Sequence, residues 1–121
     1  MTRVLVCGDR NWTDRDLLFG ILSEAHFYIG ISCVIEGEAR GADTMAREWA
    51  EERAITCEPY PANWAKFGRA AGPIRNTQML NEGNPDIVYA FHDDIDASKG
   101  TGNMVKQAIA RGLPHVVIGH E

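Results

Sequence analysis

Short apolar, β-branched runs alternate with helical periods along the whole chain, and this alternation constrains the fold more than any single motif. Val4-Leu5-Val6-Cys7 is apolar at every position, the pattern of a strand buried on both faces. A helical period follows, entered at Thr13 as a cap with Asp14 and Asp16 in the first turn, and carrying Leu17, Leu18, Ile21, Leu22 and Ala25 on one face. Residues 31–36 read as a second strand. The next helix, at 44–54, continues a stripe of Ala42, Met45, Ala46, Trp49, Ala50 and Ala54. A third strand at 55–60 is placed at a sheet edge by Pro59 and Pro61. A polar loop with Trp64 and Phe67 leads to a third helix, starting at Pro73 and running to about residue 81. Residues 86–91 form a fourth strand. A fourth helix turns Met104, Val105, Ala108 and Ile109 inward and ends at Gly112, and Pro114 introduces a last strand at 115–118. Four β-α units and a closing strand predict an α/β fold with a parallel sheet of about five strands and helices on both faces, in a single domain over residues 1–121.

A chain of 121 residues, 45% of them hydrophobic, is long enough to bury one real core. Its net charge of -5 argues against a broad nucleic-acid surface, which would be basic. No apolar run approaches the ~20 residues that cross a membrane. Met1-Thr2-Arg3 runs into a strand without a signal-peptide pattern, so a cytoplasmic location is expected. Cys7, Cys33 and Cys57 are odd in number and lack CxxC spacing, and they read as buried free thiols.

In such sheets ligands bind at the carboxyl ends of the strands, near the switch in strand order. After the first strand come Gly8, Arg10 and Trp12: room for close approach, a phosphate-binding fork, and a ring that stacks on a base or sugar. After the second comes Gly37-Glu38-Ala39-Arg40-Gly41-Ala42-Asp43, a glycine-bearing turn that offers backbone N–H groups and a helix N-terminus to an anion. Glu36 and Glu38 suit ribose hydroxyls there, or pair with Arg40; Asp43 and Thr44 also suit helix capping. After the third strand come Gly72, Arg75 and Asn76, with Arg75 in a first turn where the helix dipole disfavours a cation. After the fourth, Lys99-Gly100-Thr101-Gly102-Asn103 has the makings of a phosphate nest, although it is no Walker A loop. No GxGxxG follows the first strand, so a standard dinucleotide site is not expected there, and no cofactor is expected. His92, Asp93, Asp94 and Asp96 are hard-metal donor types, but polar runs in loops are ordinarily solvated and no metal is expected.

Four of these segments together resemble the SLOG superfamily, the Rossmann-like group that includes lonely-guy phosphoribohydrolases and the DNA-processing protein family. They are Val6-Cys7-Gly8-Asp9-Arg10, Glu36-Gly37-Glu38-Ala39-Arg40-Gly41-Ala42-Asp43, Gly72-Pro73-Ile74-Arg75-Asn76-Thr77-Gln78-Met79 and Lys99-Gly100-Thr101-Gly102-Asn103. The match is to the small YspA/YpsA-like branch of bacteria and phages. The resemblance implies a Rossmann-like, doubly wound sheet, a nucleotide-derived small molecule as partner, and a homo-oligomer. Lonely-guy enzymes carry an Arg-Lys-x-x-Met segment and a Pro-Gly-Gly-x-Gly-Thr-x-x-Glu segment. Here Asn76 replaces the Lys, and Met104 stands where the catalytic Glu would be. Methionine cannot assist departure of a base; Asp93, Asp94 or Asp96 would have to substitute. Three functions therefore remain open: a nucleotide-binding protein, a phosphoribohydrolase acting on nucleoside monophosphates, and an interaction module without a ligand.

Overall fold

The computed structural model describes residues 2–120. The elements run β1 (Thr2–Gly8), α1 (Arg15–Ile29), β2 (Ile31–Glu36), α2 (Ala42–Glu52), β3 (Thr56–Pro59), α3 (Trp64–Phe67), α4 (Ala71–Gly83), β4 (Ile87–Phe91), α5 (Gly100–Ala110) and β5 (His115–Ile118). The five strands are all parallel, in the order β3-β2-β1-β4-β5. The expected Rossmann-like α/β sheet is therefore present, with β3 at an edge.

The side-chain alternation of β1 explains the layering. Val4 and Val6 point to one face and Leu5 and Cys7 to the other, because successive Cβ atoms in a strand alternate. Val4 and Val6 join Leu18 and Leu22 of α1 with Ala46, Trp49 and Ala50 of α2. Leu5 and Cys7 join Met79 and Leu80 of α4 with Met104, Val105 and Ala108 of α5. Each face of the central strand thus anchors its own helix pair. No helix among the described residues is long and apolar enough to cross a membrane.

Local details depart from the sequence reading. The cap of α1 is Asp14, whose Oδ1 accepts from the Leu17 N–H at 3.0 Å, rather than Thr13. The region around Trp64 and Phe67 is not a loop. Asn63 caps the short helix α3 by accepting from the Lys66 N–H at 3.1 Å, and a 3₁₀ turn over Gly68–Ala70 leads directly into α4. That continuity starts α4 at Ala71, two residues before Pro73. Cys7 and Cys33 are buried as expected, while Cys57 on edge strand β3 is half-buried.

The C-terminal end of the chain is tied to the carboxyl edge of the sheet. His120 Nε2 lies 2.7 Å from Asp14 Oδ2 and its Nδ1 lies 2.9 Å from Asp93 Oδ1, so both ring nitrogens face carboxylates. The ring stacks on Trp12 at 4.9 Å. An imidazole with carboxylates at both nitrogens is held as the doubly protonated cation. The bond to Asp14, then that to Asp93, raises the His120 pKa above its usual value. Asp14 is lowered by His120, and Asp93 is lowered first by the His120 backbone N–H. The clasp is therefore complete below the ordinary histidine pKa of about 6.5 and is lost as pH rises through the raised value. His120→Asn is expected to lower the melting temperature at pH 6 and to leave it nearly unchanged at pH 9. An equal loss at both pH values would show that the charge contributes nothing.

Candidate functional site

Gly41 sets the geometry of the carboxyl edge. Its φ is 72°, and a Cβ there would stand 2.6 Å from the Arg10 carbonyl oxygen, so only glycine lets the β2–α2 turn lie against the β1–α1 loop. The Ala42 N–H donates to the Asp9 carbonyl at 3.3 Å across the same contact. Arg10 and Arg40, thirty positions apart in sequence, are brought to line one cavity as a result. Gly8 serves a similar purpose: a Cβ there would stand 2.5 Å from the Phe91 carbonyl oxygen and 2.7 Å from the Ala42 Cβ. Gly8 thus makes room for protein, where the sequence suggested room for a ligand.

The expected anion cradle at the β2–α2 turn is already filled by the chain itself. The buried Asp43 carboxylate accepts from the Gly37 N–H at 3.0 Å and the Ala39 N–H at 3.2 Å. Glu36, fully buried, accepts from the Glu38 N–H at 2.6 Å. Thr44 Oγ1 donates to the Ala39 carbonyl at 2.8 Å and closes the turn. The backbone N–H groups of Gly37, Glu38 and Ala39 are therefore spent on protein carboxylates. Glu36 and Glu38 do not pair with Arg40: the nearest cation to Glu38 is Arg47, at 3.9 Å.

Arg75 locks this turn to α4. Because α4 begins at Ala71, Arg75 stands one turn in, past the first turn where the dipole would oppose it most. Its Nη1 donates to the Gly37 carbonyl at 2.5 Å and its Nε donates to Asn76 Oδ1 at 3.1 Å. A Cβ on Gly37 would collide with this guanidinium, so a side chain there would displace Arg75 from its bond to the Gly37 carbonyl. Burial lowers the Arg75 pKa, while the Asp43 charge raises it.

One cavity of about 320 Å³ opens above this arrangement. Arg10, Arg40 and Arg75 line it with Glu38 and Trp64, together with the backbone of the turn. Neither Arg10 nor Arg40 makes an ion pair among the described residues. The Arg10 guanidinium lies 5.3 Å from the Trp64 ring centroid, and Trp64 is 49% exposed. Trp64 was not among the sequence candidates. Its signal was an aromatic residue just beyond the carboxyl end of the third strand, following Pro61-Ala62-Asn63.

The other candidates lie outside this lining. Trp12 is 4% exposed; its indole N–H donates to the Asp14 carbonyl at 3.0 Å and its ring packs edge-on against Phe91. It is a core side chain in place of an open platform. Gly72 is buried inside α4, and a Cβ there would lie 3.4 Å from the Trp64 ring. Gly100, Thr101 and Gly102 are not a loop nest, because α5 already begins at Gly100. The Gly102 N–H donates to Ser98 Oγ at 3.2 Å, and Thr101 and Gly102 are buried. Asn76 Nδ2 donates to the Gly100 carbonyl at 3.1 Å and to Asn103 Oδ1 at 3.2 Å, which clamps α4 to α5. Met104 is fully buried in the core. Asp93 is engaged by His120, and neither it nor Asp94 nor Asp96 lines the cavity.

The buried carboxyls carry a pH signature. Burial pushes Glu36 up to about 7, against the Glu38 N–H that favours the ionised form. Burial pushes Asp43 up to about 6, against the Ala39 N–H and the Arg75 charge. Both values exceed those of an unfolded chain, so the folded protein binds these protons more tightly. Their stabilising contribution is complete below the ordinary carboxyl range, about pH 4, and is lost as pH rises through the folded values. Glu36→Gln keeps an acceptor for the Glu38 N–H and removes the charge. It is expected to flatten the fall in unfolding free energy between pH 5 and 8, by on the order of 1–3 kcal/mol. Urea denaturation at several pH values checks this; identical pH slopes in the two proteins would refute it.

The site sits within a chain whose relatives are identifiable. It is 35% identical over 125 residues, covering 98% of each chain, to the Gene 61 protein of Mycobacterium phage D29. The model of the YspA, cpYpsA-related SLOG family matches residues 2–67, which include the Arg10 loop and the whole β2–α2 turn. The chain therefore belongs to the YspA, cpYpsA-related SLOG family.

Proposed function

We propose that this protein binds a nucleotide or nucleotide-derived phosphorylated ligand in the cavity between the β1–α1 loop, the β2–α2 turn and α3, and that it acts as a binding or sensing protein. The observation that carries this reading is the meeting of Arg10 and Arg40, both without ion-pair partners among the described residues, beside a half-exposed Trp64. Guanidinium forks match phosphate oxygens bidentately, and a tryptophan face accepts a base. Arg75 is mostly engaged in holding Gly37 and adds positive potential more than a free fork. Family membership agrees with a nucleotide-related ligand. Binding is favoured over cleavage because the carboxylate that lines the cavity, Glu38, faces Arg47, while Met104 and Asp93 lie elsewhere.

A thermal-shift screen of nucleotides, cyclic nucleotides and nucleotide sugars tests the reading. Stabilisation of about 2.7 kcal/mol is expected at a ligand concentration ~100 times the dissociation constant. Arg40→Ala is expected to weaken the hit by about 1.5–3 kcal/mol, the worth of a hydrogen bond to a charged group, without lowering the melting temperature of the free protein. A screen without any shift would defeat the proposal. Self-association belongs to the same reading and is supported by Phe27 and Tyr28, 81% and 76% exposed at the end of α1. Sedimentation velocity is expected to show a species larger than the monomer, and Phe27→Ser with Tyr28→Ser is expected to shift it to monomer.

A further inference from the structure

A second cavity, of about 520 Å³, shares Arg10 and Arg40 with the first. It lies between the starts of α1 and α2, and these two arginines line both cavities. They therefore stand where the two openings adjoin, and a phosphate gripped by both would have access to each. The two openings differ in chemistry. The first holds Trp64 and the backbone of the β2–α2 turn. Besides the shared arginines, the second is lined by Asn11, Trp12, Thr13, Gly41, Thr44 and Met45: an amide, an indole, two hydroxyls, of which that of Thr44 is bonded to the Ala39 carbonyl, and a thioether. Its charged members besides the shared arginines, Arg15 and Glu48, are bonded to each other. Neutral donors and acceptors beside an apolar side chain suit a sugar or nucleoside. Both volumes fall within the ~300–1,000 Å³ span of small-molecule sites.

Resting on the nucleotide reading of the first cavity, we infer that the ligand is a two-armed pyrophosphate diester: its bridge is held by Arg10 and Arg40, a nucleoside lies against Trp64, and a second sugar-bearing group fills the cavity at Thr13, Thr44 and Met45. Two guanidiniums without ion-pair partners among the described residues match the two anionic phosphates of such a bridge. A mononucleotide occupies one cavity and leaves the other unused. Two arms on one bridge add their contacts with a single loss of translational freedom, which is why the longer ligand gains affinity.

The test compares 5′-monophosphates of the common ribonucleosides with the matching symmetric dinucleoside 5′,5′-pyrophosphates, by titration calorimetry on the full chain. The pyrophosphate of the preferred base is expected to bind at least about tenfold tighter than its monophosphate. Thr13 is exposed and its side chain makes no hydrogen bond among the described residues, so Thr13→Trp fills the second cavity from outside the core. That variant is expected to bring the two affinities within about twofold and to leave monophosphate binding unchanged. Met45→Trp, from the opposite wall, is expected to do the same, and melting curves confirm that both variants fold. Equal affinities in the wild type, or a gain that survives both substitutions, overturns the two-armed ligand while leaving the nucleotide site standing. Binding of neither compound overturns both.

Discussion

The Asp43 carboxylate is the hub on which the site depends. Placed at the start of α2 and buried, it accepts the Gly37 and Ala39 N–H groups that a strand-to-helix turn would otherwise offer to an outside anion. A carboxylate in that position is favoured by the positive end of the helix dipole and disfavoured by loss of water. The cost is partly offset from the other side, where Arg75 reaches from α4 to the Gly37 carbonyl and faces Asp43 with its charge. Residues 37, 43 and 75 thus form one rigid unit spanning β2, α2 and α4. The turn that carries Arg40 rests on that unit.

This arrangement divides three arginines into two roles. Arg75 is half-buried and satisfied within the protein, so it sets geometry and background potential. Arg10 and Arg40 line the same cavity beside the Gly41 contact, with no carboxylate paired to either among the described residues. Paired surface charges add little to stability. Cations kept together without partners oppose folding slightly, and a ligand anion is the natural complement. The acidic balance of the whole chain makes a local positive site stand out against its surroundings.

The strand order also explains where the cavity lies. In a 3-2-1-4-5 sheet the crevice at the switch point falls between β1 and β4. Here that crevice holds protein: Gly8 lies against the Phe91 carbonyl, and His92 stands 3.9 Å from Asp9. His120 clasps Asp14 and Asp93 beside it, over Trp12. The open space is displaced by one strand, toward β2, where α3 brings Trp64 over the edge. The general rule about the carboxyl ends of strands holds, and the local side chains decide which gap is left open.

The order of strands and helices, the edge position of β3 and the arginine-bearing loops were legible in the sequence, because hydrophobic period and proline placement are local properties. Residues 4–7 had to be a doubly buried strand, and the stripe from Ala42 to Ala54 had to be a helix with one apolar face. Which glycines face a ligand and which face the protein was decided by the tertiary structure alone. Gly8, Gly37 and Gly41 look alike in sequence as turn residues; what a side chain there would strike is Phe91, Arg75 and the Asp9–Arg10 backbone, each distant along the chain. The exchange of Trp12 for Trp64 has the same cause. Either ring follows a strand, but burial of one and exposure of the other depend on what α1 and α4 pack against them. Local sequence determined the candidate chemistry at the sheet edge; long-range packing determined which of it faces open space.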